Sequence, residues 1–366
     1  MSLRPSLREV FQGLQLDEVS ESRARTSLEA LQRTSTASPW YVKAFAGAGA
    51  WISAAFVLSF FGCVGVMENE VIFIAVGLFA SICATLLRRL ATGAFVDQLT
   101  LALALAGVGM VTAGVGMTSE DVETTAVANL LLSAGLLVAF PDSIFRFIAT
   151  LNVVGASLVL LWSGLGVLGV DIGVFVCAAV AQFLLIFQPR LAVSRVGEIA
   201  DSVTLGLSAC VPLLLLGRST MSAMDSLVGL GFDTHIVAPP ISVLTLGLTA
   251  LTLYTAWHTM KELDLEPASS TGAGVFVALT LMALLTPHTP SVIASVGLLL
   301  SGFLRRNSLL LGIAVAFLLV SGSWYYYDLG LSLLAKSGAL VGSGAILLAL
   351  RWFLSQREPR TAVEAR

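Results

Sequence analysis

The chain has 366 residues, of which 57% are hydrophobic and 12% are charged, about half the charged share of an average soluble domain (about 25%). A soluble core cannot absorb this much apolar side chain, so the composition excludes an ordinary water-soluble protein. The formal net charge is −3, and the basic residues never gather into a stripe interleaved with aromatic residues, so nucleic-acid binding has no support.

The first forty residues are mostly polar and contain one amphipathic segment. Leu3, Leu7, Val10, Phe11 and Leu14 recur at helical spacing, a pattern typical of helices that lie on a membrane surface or dock onto a partner. The same pattern also fits a helix packed on the protein's own cytoplasmic loops. We predict a cytoplasmic amphipathic region over residues 1–39, a transmembrane helical domain over 40–354 and a disordered cytoplasmic tail over 355–366.

Apolar runs follow one another between residues 44 and 353. A helix needs about 20 apolar residues to cross a hydrocarbon layer about 30 Å thick. Runs of this length, separated by turn signals, predict an all-α polytopic bundle of about twelve transmembrane helices. The predicted spans are residues 44–66, 70–87, 98–117, 124–140, 147–165, 170–187, 199–217, 238–257, 270–286, 290–304, 308–325 and 331–353.

Lysine and arginine are segregated by side along this order of spans. Because these residues accumulate in cytoplasmic segments, we place the N terminus inside, and an even number of spans returns the C terminus to the same side. All basic residues except Arg218 and Lys336 then fall in cytoplasmic segments. Adding or removing one span would swap every later loop and destroy this segregation, so both termini are predicted to be cytoplasmic.

Two predicted spans carry stripes of small residues. In the third span, Ala102, Ala106, Gly109, Ala113 and Gly116 step by four, three, four and three, so they share one helix face. The last span contains Gly338 and Gly342 in a GxxxG pattern. Small stripes let helix backbones approach closely, which holds helices together in lipid. Both stripes therefore predict helix packing, with a partner helix that is either internal or from another subunit.

The segment that reads WYYYDLGLSLLAKSG, from Trp324 to Gly338, contains the strongest candidate for a functional polar site. Lys336 lies within the last predicted span, where a charge is costly. Asp328 precedes it by eight residues, beside Tyr326 and Tyr327. One interpretation is an aromatic belt with a lysine that reaches toward water. The other is a polar site near the outer leaflet that involves all four residues.

Motifs for catalysis or metal binding are not found in the sequence. The three histidines, His235, His258 and His288, fall on different predicted sides of the membrane, so they cannot converge on one metal. There is no HExxH, GxSxG or phosphate-binding loop. We therefore predict no catalytic residue, no cofactor and no metal, and the chain is expected not to be an enzyme.

The last-span region from Trp324 to Trp352, and the sequence GAGAWISAAFVLSFFG from Gly47 to Gly62, resemble a bacterial family of multi-pass membrane proteins classed only as a domain of unknown function. Members of such families look like neighbours, in gene order, of a membrane-anchored protein with a Gly-Asp-Tyr motif. The resemblance implies a bacterial cytoplasmic membrane and a possible membrane-protein partner, and it implies no activity.

Three functions are compatible with these patterns. The first is a non-enzymatic scaffold or partner subunit in a cell-envelope complex, which short loops, small-residue stripes and the N-terminal segment favour. The second is a secondary transporter or channel for a small solute or ion, because twelve spans with both termini inside match a common carrier layout. The third, a lipid-modifying enzyme, would need converging polar groups that the sequence does not show.

Overall fold

The computed structural model describes residues 69–91, 93–192, 197–228, 241–263, 266–267, 269–287 and 289–328, with scattered helical positions between 45 and 60 and the turn residue Gly65. The N-terminal amphipathic segment and the whole of the twelfth predicted span lie outside the described residues. Helices and no strands make up the regular structure of the described part, so the all-α class is confirmed.

Each predicted span from the second to the eleventh overlaps one helix, although the helix on the seventh span continues to Val228, well past the predicted end of that span at residue 217. The helices are α1 Glu70–Leu90, α2 Ala94–Ser119, α3 Val122–Ala139, α4 Ser143–Leu165, α5 Val167–Ala192, α6 Gly197–Val228, α7 Ile241–Glu262, α8 Ser270–Leu285, α9 Pro290–Leu304 and α10 Ser308–Asp328. Six of them, α1 to α5 and the Gly197–Arg218 part of α6, are long and apolar enough to cross a membrane. The count of twelve spans and the cytoplasmic termini stay predictions.

Short polar residues fix where several helices begin. Asn69 accepts a hydrogen bond from the Ile72 amide at 3.1 Å and caps α1, and Asp142 caps α4 in the same way. Asp121 caps α3, and the hydroxyl of Thr124 donates to its carboxylate, which holds the pKa of Asp121 below its usual value. Such caps satisfy amide groups that have no partner within the helix, so the loops can be short.

The chain divides into two compact units, Met1–Val111 and Thr112–Arg366, with the boundary inside α2. In the first unit, Gly77 of α1 faces Gly107 of α2 at close range. A Cβ atom on Gly107 would lie 2.6 Å from the Gly77 carbonyl oxygen and would also collide with the Ser81 hydroxyl. Both positions therefore require glycine. An ion pair between Arg88 and Asp97 joins the same two helices near their connection.

The second unit is built around α5, which packs against α4, α6, α7 and α9. Around this centre, α3 lies on α4, α8 lies on α7, and α10 lies on α9 and α6. The buried core includes Val174 and Ala181 of α5, Leu248 of α7 and Leu298 of α9. Outward faces carry exposed apolar side chains such as Leu131 of α3, as expected for helices whose outer surface meets lipid.

Consecutive helices of the second unit run in alternating directions and place all of its described basic residues except Arg218 at one end. Arg146, Arg190, Lys261, Arg305 and Arg306 lie where α4, α6 and α10 begin and where α5, α7 and α9 end. We call this the basic end. Contacts from Arg305 at the end of α9 to α5 and α7 place those termini together. The side of the membrane that the basic end faces stays a prediction, namely the cytoplasm.

The glycine contact in the first unit can be tested by one substitution. We expect Gly107→Ala to lower the thermal unfolding temperature of the protein in mild detergent, because the added methyl group forces α1 and α2 apart. Overpacking of this kind typically costs about 1–3 kcal/mol of unfolding free energy. Scanning fluorimetry of the purified protein measures the effect.

The matched control is Gly109→Ala, two residues further along the same helix. Nothing in the described part of the chain lies within 4 Å of a Cβ atom at Gly109, so this variant should be as stable as the wild type or slightly more stable because alanine favours helix. Equal losses in both variants would show that the Gly77–Gly107 approach is not special.

Candidate functional site

A proline near the end of α5 creates the first notable polar feature of the basic end. Pro189 lies inside α5, and it has no N–H to donate to the carbonyl oxygen of Leu185. The side chain of Arg305 fills this gap: Nε donates to the Leu185 carbonyl at 2.6 Å and Nη2 donates to the Ile186 carbonyl at 2.7 Å. An arginine at the end of α9 thus completes the hydrogen bonding of α5.

The same guanidinium group also pairs with Glu262, the last residue of α7. Its Nη2 and Nη1 atoms lie 3.0 and 3.2 Å from the two carboxylate oxygens. The Arg305 side chain is only 10% exposed, and that of Glu262 is 32% exposed. Two-point pairing of a planar guanidinium with a carboxylate is strong and directional. The ends of α5, α7 and α9 are therefore held together at one level.

Gln182, one turn deeper on α5, joins the same three helices inside the bundle. Its Oε1 atom accepts hydrogen bonds from the Ser301 hydroxyl of α9 and, at 3.4 Å, from the Thr255 hydroxyl of α7. All three side chains are buried. Gly297 leaves room for the Gln182 side chain, because a Cβ atom there would lie 3.3 Å from Gln182 Nε2, and 2.9 Å from the Thr252 hydroxyl.

Threonines line the buried face of α7 from one end to the other. Most of their hydroxyls donate to the carbonyl four residues earlier, as Thr249 does to Thr245 at 2.6 Å and Thr259 to Thr255 at 2.8 Å. Thr245 instead donates to the Pro287 carbonyl at 2.8 Å. Each hydroxyl is satisfied within the protein, so this face stabilises packing and offers no reactive group.

An ion pair lies at the end of the bundle opposite the basic end. Arg218 Nε of α6 is 3.1 Å from Asp171 Oδ1 of α5, and the two side chains are 15% and 7% exposed. Arg218 is one of the two basic residues that the orientation rule leaves off the cytoplasmic side. Its charge is balanced by an acid on the same predicted side, a pairing that sequence analysis could have found by comparing the ends of neighbouring antiparallel spans.

A cavity of about 650 Å³ opens at the basic end between α4, α5, α6 and the start of α10. Its wall is mainly apolar, with Phe147 of α4 and Leu310 of α10 among the lining residues. The polar groups of the lining are Ser143, Gln188, Asp201, Ser202, Thr204, Ser208 and Asn307. A concave, largely apolar volume with a few converging polar groups is typical of small-molecule sites.

The predicted polar site of the last span cannot be placed beside this cavity. Tyr326, Tyr327 and Asp328 form the last turn of α10, whereas Lys336 lies outside the described residues, as do the packing glycines Gly338 and Gly342. Their proposed roles stay predictions. The roles of Gly109 and Gly116 as packing residues also stay predictions, although Gly116 lies near Thr125 of α3, whose hydroxyl would be 3.4 Å from an added Cβ atom.

Comparison with protein families gives the chain its classification. The model of the family described as "Domain of unknown function (DUF4401)" matches residues 39–357. The chain belongs to this family. Almost the whole DUF4401 match lies in the region predicted to form spans, so the resemblance to a family of unknown function is confirmed, whereas the neighbouring gene stays a prediction. Comparison with curated proteins and with solved structures found no match.

The contact between Arg305 and α5 yields a second prediction. We expect Arg305→Gln to destabilise the DUF4401 bundle, because the Leu185 carbonyl would lose its donor in a buried environment. An unsatisfied buried acceptor costs about 1–3 kcal/mol. Thermal unfolding in detergent measures the loss, and Arg306→Gln, which removes an exposed neighbouring charge, is the matched control.

A rescue variant separates this cause from a general loss of charge. Pro189→Ala restores an N–H that can donate to Leu185, so it should recover more stability in the Arg305→Gln protein than it adds to the wild type. If the two substitutions were simply additive, the guanidinium would not replace the missing helix donor.

Proposed function

We propose that this protein is a non-enzymatic membrane scaffold, a partner subunit of a bacterial cell-envelope complex. The observation that carries the proposal is the set of hydrogen bonds that ties α5, α7 and α9 together, buried at Gln182 and closer to the bundle surface at Arg305. A bundle fixed in this way offers a rigid surface on which other membrane proteins can assemble.

The hydrogen bonds of Gln182 and Arg305 oppose large relative movement of the central helices. Separating α5 from α9 would take the Arg305 donor away from the Leu185 carbonyl and the Ser301 donor away from the Gln182 amide oxygen. Each such buried group costs about 1–3 kcal/mol, and lipid provides no water to replace the lost bonds. Carriers must move their helical halves against each other, so the arrangement favours a fixed scaffold.

The proposed partner is the membrane-anchored protein with a Gly-Asp-Tyr motif that the family resemblance implies. We expect the two proteins, co-expressed and extracted into nanodiscs, to co-purify in a fixed ratio, with the mass of the complex measured by native mass spectrometry. An unrelated multi-pass protein of similar size, expressed in the same way, serves as the control. A DUF4401 protein that stays strictly monomeric with both would contradict the scaffold proposal.

A small-solute transporter is the second candidate, because the cavity at the basic end resembles the open vestibule of a carrier. The two functions differ in the motion they require. Spin labels at Arg190→Cys and Arg306→Cys, both exposed positions at the basic end, report the distance between α5 and the α9–α10 connection. In a background without the native cysteines, the scaffold predicts one narrow distance distribution, whereas a carrier predicts two populations.

A further inference from the structure

The cavity at the basic end has an unequal supply of hydrogen-bond donors and acceptors. Gln188 Nε2 donates to Asp201 Oδ1 at 3.0 Å. The Ser202 hydroxyl donates to the Glu198 carbonyl at 3.2 Å, and the Thr204 hydroxyl donates to the Ala200 carbonyl at 2.6 Å. Each of these two hydroxyls already donates its hydrogen within the protein, so towards a ligand it can act only as a hydrogen-bond acceptor.

Asp201 gives the cavity its charge. It is the charged member of the lining, and it lies at an exposed position in the second turn of α6. Gln188 orients this carboxylate through one oxygen atom, which leaves the other available. A carboxylate beside acceptor lone pairs favours a ligand that is positively charged and carries several N–H donors. The same groups oppose an anion.

Ser208 lies at the deep end of the same face of α6. It follows Asp201 by seven residues, two helical turns or about 10 Å along the axis. Its side chain is fully buried, and its hydroxyl has no hydrogen-bond partner among the described residues. Since Ser202 and Thr204 both bond to a carbonyl of the preceding turn, Ser208 stands out as a hydroxyl that can bond to a ligand in the cavity.

Much of the wall between Asp201 and Ser208 is apolar, although Ser202 and Thr204 also line it. Phe147, Leu205 and Ile313 are among its residues, so the middle of a ligand must be hydrophobic. A hard metal ion needs its oxygen ligands around one point, six to eight of them for Ca²⁺, whereas Asp201 and Ser208 are about 10 Å apart along the α6 axis. A volume of about 650 Å³ is within the usual range for pockets that bind small organic molecules.

We propose that this cavity binds a primary ammonium group attached to an apolar body, with the ammonium on Asp201 and a distal polar group on Ser208. The ammonium comes either from a free amine solute or from the headgroup of an aminophospholipid. The site does not depend on the scaffold role, because a fixed bundle and a carrier can both bind such a ligand.

Tyramine is a suitable probe, because it carries an ammonium and a hydroxyl at opposite ends of an apolar ring. We expect tyramine to bind the full-length protein in phosphatidylcholine nanodiscs, as measured by isothermal titration calorimetry. The anionic analogue 3-(4-hydroxyphenyl)propionate should bind at least tenfold more weakly. Equal binding of the anion, or no saturation with tyramine at millimolar concentration, would overturn the proposal.

Two variants locate the ligand within the cavity. Asp201→Asn should weaken tyramine binding at least tenfold, whereas Glu198→Gln should not, because Glu198 is one turn away on the same helix and is not a lining residue. Both positions are exposed, so both variants should keep the unfolding temperature of the wild type. Equal effects of the two substitutions would contradict binding at Asp201.

The deep contact is tested by removing the hydroxyl from the ligand and from the protein. Phenethylamine, which lacks the hydroxyl, should bind several-fold more weakly than tyramine to the wild type. The two amines should bind equally to Ser208→Ala, a change that deletes an unpaired hydroxyl and should leave the fold intact. A preference for tyramine that persists in this variant would exclude Ser208 from the site.

Nanodisc composition distinguishes the two sources of the ammonium. If the ligand is a headgroup, adding phosphatidylethanolamine to the nanodiscs should weaken the apparent binding of tyramine to the wild type and not to Asp201→Asn. If the ligand is a free amine, tyramine binding should be the same in both lipid compositions. Either result supports the ammonium site. Neither result changes what is expected from co-purification with the Gly-Asp-Tyr protein, which tests the scaffold role separately.

Discussion

Pro189 deprives the Leu185 carbonyl of its donor within α5, and the guanidinium group of Arg305 takes that donor's place. The packing of α5 against α9 in the second unit depends on this hydrogen bond from Arg305. The same guanidinium also pairs with Glu262 of α7. Arg305 at the end of α9 therefore joins α5, α7 and α9 at the point where α5 lacks a hydrogen bond of its own. Gln182, one turn deeper, joins the same helices through neutral hydrogen bonds, so α5, α7 and α9 are held at two successive levels.

A second constraint is that helices in lipid must satisfy their polar groups within the protein. Hydroxyls on α7 do so by donating to carbonyls of their own helix, as Thr249 and Thr259 show. The cavity lining uses the same device at Ser202 and Thr204, and Ser208 departs from it. Ser208 shares this lack of a partner with Thr112 and Ser321 elsewhere in the described residues, but Ser208 lines the cavity. Asp201 at the mouth of the cavity adds the charge that a ligand would meet.

The positions of the helices could be predicted from the sequence, because runs of about 20 apolar residues are an unambiguous signal. Contacts between helices could not. The stripe through Gly109 shares a helix with Gly107, yet only the structure shows that Gly107 meets α1. A charge inside a predicted span is a signal of function, and Lys336 is such a charge. Arg305 carries no such signal, because it follows an apolar run and falls in a predicted loop. Its role depends on Pro189, which lies just beyond the predicted end of its span and is distant in sequence.

The contact between Arg305 and α5 also sets an order for the assembly of the protein during synthesis. The ribosome completes α5 long before it reaches Arg305, so the carbonyls of Leu185 and Ile186 leave the translocon without their eventual donors. The last turns of α5 remain incomplete until α6, α7, α8 and α9 have been made and α9 has docked. Biogenesis of the second unit therefore includes a contact between an early helix and one that is made much later.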